Sequence, residues 1–142
     1  MIKKNLLVLI CIIGLVICAS TLLGQGSKKI ALPSGEEVWD LNGEWDVFVE
    51  NYGPWASGGS YSSKVKITQT GSSFVGIRMM DNPNNPKGSE AIRGELDKSG
   101  FKEIQINAAG LWRRLAKGQI SEDGNKMVIE YAERSKSSYT RK

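Results

Sequence analysis

The chain has no histidine and only two cysteines among its 142 residues. Both cysteines, Cys11 and Cys18, lie in one apolar run near the start, so everything from Ala19 onward is free of thiols. Beyond that run, these absences remove disulfides, cysteine nucleophiles, Ser-His triads and the usual zinc and haem ligands. A metal site there would have oxygen ligands alone, and none is expected. No cofactor is implied. Neither a nucleophile nor a tuned base stands out, so an enzyme is not expected. Segments of helical period are missing after Leu41. A concentration of positive charge is missing too, because apart from Arg113-Arg114 and Arg141-Lys142 the basic residues are scattered. Nucleic acid is therefore not an expected partner.

What is present begins with a basic start, Ile2-Lys3-Lys4-Asn5, and an apolar run from Leu6 to Cys18. Small and polar residues follow, through Gly24-Gln25-Gly26. This order predicts a cleavable signal peptide over 1–26 and a secreted or periplasmic protein. The run is short of the ~20 residues a spanning helix needs. The alternatives are an uncleaved anchor extending through Leu22-Leu23, or a lipid anchor at Cys18. Leu15-Val16-Ile17-Cys18 resembles a lipoprotein box, but Ile17 stands where such boxes carry a small residue. The membrane enters only through this segment. Loss of Lys3 and Lys4 with it would lower the net charge from +4 to about +2. The remaining residues suffice for one domain with one core.

Residues 27–42 read as a linker and a short lead-in. Ser34-Gly35-Glu36-Glu37 fits a capping box, with a helical turn through Leu41; an extended lead-in is the alternative. A barrel domain is then expected over 43–142. Its first strand starts at Gly43, and two-residue alternation puts Trp45, Val47 and Val49 on one face. Three hairpins share one spacing. Ile67 and Val75 each lie four residues from Gly71, Leu96 and Ile104 four from Gly100, and Ile120 and Val128 four from Gly124. A tight turn at each Gly would set each apolar pair opposite. Eight strands result, at 43–50, 61–70, 74–80, 89–97, 101–108, 111–121, 126–134 and 137–142. Their inward residues include Val65, Ile67, Val75, Ile77 and Met79, then Ile92, Leu96, Ile104 and Ile106. Residues 126–134 fit two facings, Ile129 with Tyr131 or Val128 with Ala132. Short links and no helices predict an all-β, antiparallel, up-and-down barrel of about eight strands.

At Gly43-Glu44-Trp45 the chain resembles the lipocalin and calycin superfamily. Those barrels open on a Gly-x-Trp strand and carry a late arginine across the tryptophan, a place Arg141 could take here. The resemblance implies a fold signature of Gly43, Trp45 and Arg141, with the guanidinium stacked on the indole for ~1–2 kcal/mol. It covers one tripeptide, one arginine and the strand count.

Several features bear on function. A barrel of eight strands is about wide enough to be filled by side chains or to hold one small ligand. Tyr52, Trp55, Met79, Trp112 and Arg113 are the candidate ligand-binding residues. Tyr52 and Trp55 lie in a Gly- and Ser-rich loop, which would form a binding edge or fold over the barrel mouth. Of Arg113 and Arg114, alternation turns one inward or to the rim, where it could meet a ligand carboxylate, unless both tips stay in solvent. The segment Asp81 to Gly88 offers oxygen ligands for calcium but reads better as a stiff polar connection. Glu44, Asp46 and Glu50, and Glu95 with Asp97, share strand faces; solvated outer faces look the same. The expectation is a non-enzymatic carrier of a small apolar or amphipathic molecule. The alternative is a module binding an extracytoplasmic protein, such as an inhibitor or envelope accessory protein, through Trp55.

Overall fold

A computed structural model describes residues 28–142. The signal segment expected over 1–26 lies outside the described residues. The regular structure of the described chain is almost all β, with one short 3-10 helix. It opens with a hairpin of β1 (Lys29–Ala31) and β2 (Glu37–Trp39). Then come β3 (Gly43–Asn51), a 3-10 helix over Gly53–Gly58, β4 (Ser60–Thr70), β5 (Ser73–Arg78) and β6 (Glu90–Asp97). The remaining strands are β7 (Gly100–Ala108), β8 (Leu111–Arg113), β9 (Ala116–Ile120), β10 (Lys126–Tyr131) and β11 (Ser135–Arg141).

The opening hairpin replaces the linker and helical turn expected before Gly43. Ser34 Oγ accepts from the Glu36 amide at 3.4 Å, not from Glu37 as a capping box requires. Gly35 takes φ +86°, and its amide donates to Leu32 O at 2.8 Å, which makes a turn instead. The hairpin is held by contacts far along the chain. The Leu41 amide donates to Gln69 Oε1 at 2.7 Å, and Gln69 Nε2 donates to Trp39 O at 2.9 Å. Val38 and Leu41 are thereby buried over one end of the barrel.

Nine strands form one antiparallel sheet in the order β8-β7-β6-β5-β4-β3-β11-β10-β9. It curls into a nearly closed barrel. β11 pairs β3, with Arg141 opposite Trp45 and Ser135 opposite Asn51, which joins the last strand to the first of the meander and leaves β8 and β9 as the two edges of the sheet. The expected strand 111–121 is two pieces. β8 pairs β7 and β9 pairs β10, and the chain turns out between them, leaving Leu115 74% exposed. The Phe101 ring lies against Gly118, where any Cβ would collide with it.

Register corrects the sequence reading at all three hairpins. Thr70 pairs Ser73, so the first turn is Gly71-Ser72, with Gly71 at φ +60° as a two-residue turn of the II′ class allows. Ile67 then faces Gly76, and Val75 faces Thr68. A slip of one residue turns a whole strand over. Phe74, Gly76 and Arg78 point inward, and Val75, Ile77 and Met79 do not. In the second hairpin a bulge at Glu95/Leu96 sets Leu96 opposite Phe101 and Ile104 opposite Gly94. In the third, Ile120 meets Met127, so Met127 and Ile129 are buried and Val128 is turned away.

The core fills the end nearest the opening hairpin. Leu41, Trp45, Ile67, Phe74, Leu96, Met127 and Ile129 are all buried there. Trp45 is fully buried, and its Nε1–H donates to Leu41 O at 3.0 Å. Arg141 lies over the Trp45 ring, 4.4 Å from guanidinium carbon to centroid. Its Nη1 donates to Asn42 O at 2.6 Å and its Nη2 to Asp40 O at 2.5 Å. Gly43, at φ +121°, brings the chain from this end into β3.

Candidate functional site

The opposite end of the barrel is hollow. A cavity of about 360 Å³ lies there. Val47 and Val49 from β3, Val65 from β4, Ile92 from β6 and Ile106 from β7 supply its apolar wall. These positions follow from strand alternation, which sends the same face of each strand inward. Ser63, Ser135, Ser137 and the phenols of Tyr61 and Tyr139 make the wall partly polar.

Two segments border the mouth. On one side the 3-10 helix presents Pro54 and Trp55. Trp55 stacks on Tyr131, with centroids 5.1 Å apart and planes at 29°. On the other side Asn82, Pro83, Asn84 and Asn85 of the β5–β6 connection line the cavity. Asn82 Nδ2 donates to Ser63 Oγ at 2.8 Å, and the Ala109 amide donates to Asn85 Oδ1 at 3.0 Å. This segment therefore acts as a polar brace across the mouth. Among the described residues, no three His, Cys, Asp or Glu side chains gather as a metal site would require.

Arg78 is the deepest charge, 7% exposed. Its Nη1 donates to Ser89 Oγ at 2.9 Å and Glu90 O at 2.6 Å, and its Nη2 donates to Asn107 O at 2.6 Å. Burial pulls its pKa below the ordinary guanidinium value, and the neighbouring phenols Tyr61 and Tyr139 oppose that change. The same burial pushes the Tyr139 and Tyr61 hydroxyls up, against the influence of Arg78. Both phenols therefore stay protonated at neutral pH and can donate. Two buried side-chain atoms lack any hydrogen-bond partner among the described residues: Asn107 Oδ1 and Arg113 Nε. Both residues border this cavity. Unpaired buried polar atoms are rare in folded chains, and here they concentrate at one place.

Compared with protein-family models, with curated proteins and with solved structures, the chain matches none.

Of the residues singled out from the sequence, Trp55 and Arg113 meet at this mouth, with the Arg113 guanidinium 5.9 Å from the Trp55 ring centre. Tyr52 is exposed beside the 3-10 helix, its hydroxyl 3.4 Å from Ser135 O, and lies outside the cavity wall. Met79 follows β5 on its outer side. Trp112 is also outside, covered by Arg93 at 3.9 Å. Sequence reasoning missed Arg78, Tyr61 and Tyr139. Tyr61 had a signal, since it shares the two-residue alternation of Val65 and Ile67. Arg78 had none, because the hairpin register had to be shifted by one before it turned inward.

Proposed function

We propose that the chain is a secreted or periplasmic, non-enzymatic, lipocalin-like binding protein that holds a small, partly apolar molecule at the open end of its barrel. The observation that carries this reading is the half-filled interior: a packed core at one end and a cavity of about 360 Å³ at the other. That volume falls in the range of small-molecule sites, and its wall joins apolar side chains to polar ones, which make up about half of the lining residues. A dry cavity of 150 Å³ holds benzene, so by proportion this one holds roughly 14 non-hydrogen atoms. The stacking of Arg141 on Trp45, with the Gly43 entry, supports kinship with calycin barrels.

Native mass spectrometry of the secreted protein, followed by solvent extraction, tests the proposal. A stoichiometric small-molecule adduct is the expected result. A mass that stays bare after challenge with fatty acids, heterocycles and sugars would refute it. The protein-binding alternative would then lead, though half-buried Trp55 is stacked on Tyr131. Leu111, at the start of β8, and Leu115, between β8 and β9, are exposed and are the better surface for it.

A further inference from the structure

The cavity is charged with one sign only. Among the described residues no Asp or Glu lines it, although the chain carries 15 of them, and two arginines do. Arg78 carries the argument. A guanidinium has five N–H groups. Two on Nη1 and one on Nη2 are taken by Ser89 Oγ, Glu90 O and Asn107 O. The Nε–H and the second Nη2 hydrogen make no hydrogen bond to the described residues, and Nε is not among the enclosed unpartnered atoms, so it is left open to a ligand or water. None of the three partners is a carboxylate. The ion pairs among the described residues are Lys102 with Glu95 and Lys142 with Asp46, and both are on the surface. Carbonyl and hydroxyl dipoles hold the Arg78 cation in place but leave its charge uncompensated, and buried charges are ordinarily paired. The hydroxyls of Tyr61 and Tyr139, both in the wall, make no hydrogen bond to the described residues and are not among the enclosed unpartnered atoms, so they open onto the cavity. The site therefore offers unused donors and no negative charge.

We infer that the molecule held in this barrel is a monocarboxylate, with its carboxylate on the free N–H groups of Arg78 and its apolar body against Val47, Val65 and Ile92. This rests on the small-molecule reading above. A planar carboxylate accepts two hydrogen bonds from one guanidinium and matches a single cation charge for charge. Tyr61 and Tyr139 line the same cavity and would supply further donors to the ligand. The volume limits the body to about ten carbons, so a medium-chain or aromatic acid fits and a long-chain acid would protrude at the mouth. Arg113, at the rim against Trp55, adds a second positive charge at the entrance.

The test is isothermal titration of the ligand-free protein with decanoate, 1-decanol and decylamine, repeated with Arg78→Gln and Arg78→Lys. On the unaltered chain, decanoate should bind at least about tenfold tighter than decanol, with decylamine weakest, the ratio expected of one charge-assisted pair. Arg78→Gln should remove that preference for decanoate over decanol, and Arg78→Lys should restore part of it. Equal affinity for decanoate and decanol would overturn the carboxylate inference and leave the barrel-carrier reading standing. Failure of all three to bind would overturn both. The headgroup series on the unaltered chain decides the matter even if the Arg78 variants fail to fold.

Discussion

Removing Arg141 should cost the domain a large part of its stability. Its guanidinium sits 4.4 Å from the Trp45 ring centre and donates to Asn42 O and Asp40 O. A further contact, 3.2 Å from Nη2, reaches Gly124 O in the β9–β10 turn. One side chain thus joins β11, the segment entering β3 and a distant turn. Arg141→Ala loses a cation–π contact of ~1–2 kcal/mol. It also loses charged hydrogen bonds of ~1.5–3 kcal/mol each when fully enclosed. The bonds here are half open to water, which takes over part of their role, so a total of about 3 kcal/mol is expected. Domains of this kind have only ~5–15 kcal/mol to lose. The assay is equilibrium unfolding in urea, followed by tryptophan fluorescence. With a slope of about 1–3 kcal/mol per molar, the midpoint should fall by about 1–3 M at unchanged slope. Arg141→Lys should recover less than half, because an ammonium cannot serve the ring and two carbonyls at once. A midpoint shift under about 0.5 M for Arg141→Ala would refute the idea that this contact holds the barrel end together.

Other consequences can be checked on single variants. Gly94→Ala forces a methyl onto the carbonyl oxygen of Glu103 in the neighbouring strand. It should cost about 3 kcal/mol, seen as a melting temperature lower by about 10 °C or more, whereas near-normal melting would mean the strands part easily. Asp123 accepts from Ser121 Oγ and the Asn125 amide, and these bonds lower its pKa to about 2. A carboxyl depressed in the folded state stabilises above its unfolded value near ~4 and stops doing so as pH falls through the folded value. The stability gap between the parent and Asp123→Asn should therefore close between about pH 4 and pH 2; a constant gap would contradict this linkage. Tyr139 is raised by burial. Its neutral form is favoured by folding, so its contribution is complete below about pH 10 and is lost as pH rises toward the higher folded value. Relative to Tyr139→Phe, the parent should lose stability only above about pH 10, and loss beginning near neutrality would refute the assignment.

Local pattern carried the fold a long way and the site only part of it. The inward face of β3 was legible from Gly43 because Trp45 and Val47 alternate with charged residues, and the burial follows that alternation. The barrel architecture was legible from turn chemistry. The register of each hairpin was not, because Gly71, Gly100 and Gly124 mark turns without fixing how many residues each turn uses. That one-residue ambiguity put Met79 inside on paper and Arg78 outside. Tertiary contacts explain the other differences. Nothing local to Ser34–Leu41 announces that Gln69 will bind both Leu41 and Trp39. Nothing between Leu111 and Ser121 announces that β8 will pair β7 while β9 pairs β10. Trp55 and Arg113 converge only once the 3-10 helix and β8 are set at the same barrel end.

The pairing of β11 with β3 also sets the tempo of folding. Each neighbouring hairpin joins residues close in the chain and can form within microseconds. The bond from Arg141 to Asp40 spans 101 positions, and the whole meander must curl before it can form. Non-local closure of this kind belongs to the millisecond-to-second regime of β-barrels. Until it happens, both β3 and β11 present bare edges, each able to pair with another chain. Trp45 reports the event directly, since its ring passes from an open strand edge to full burial under Arg141. Formation of the β3–β11 seam removes these two edges and leaves only the short strands β8 and β9 at the margins of the sheet.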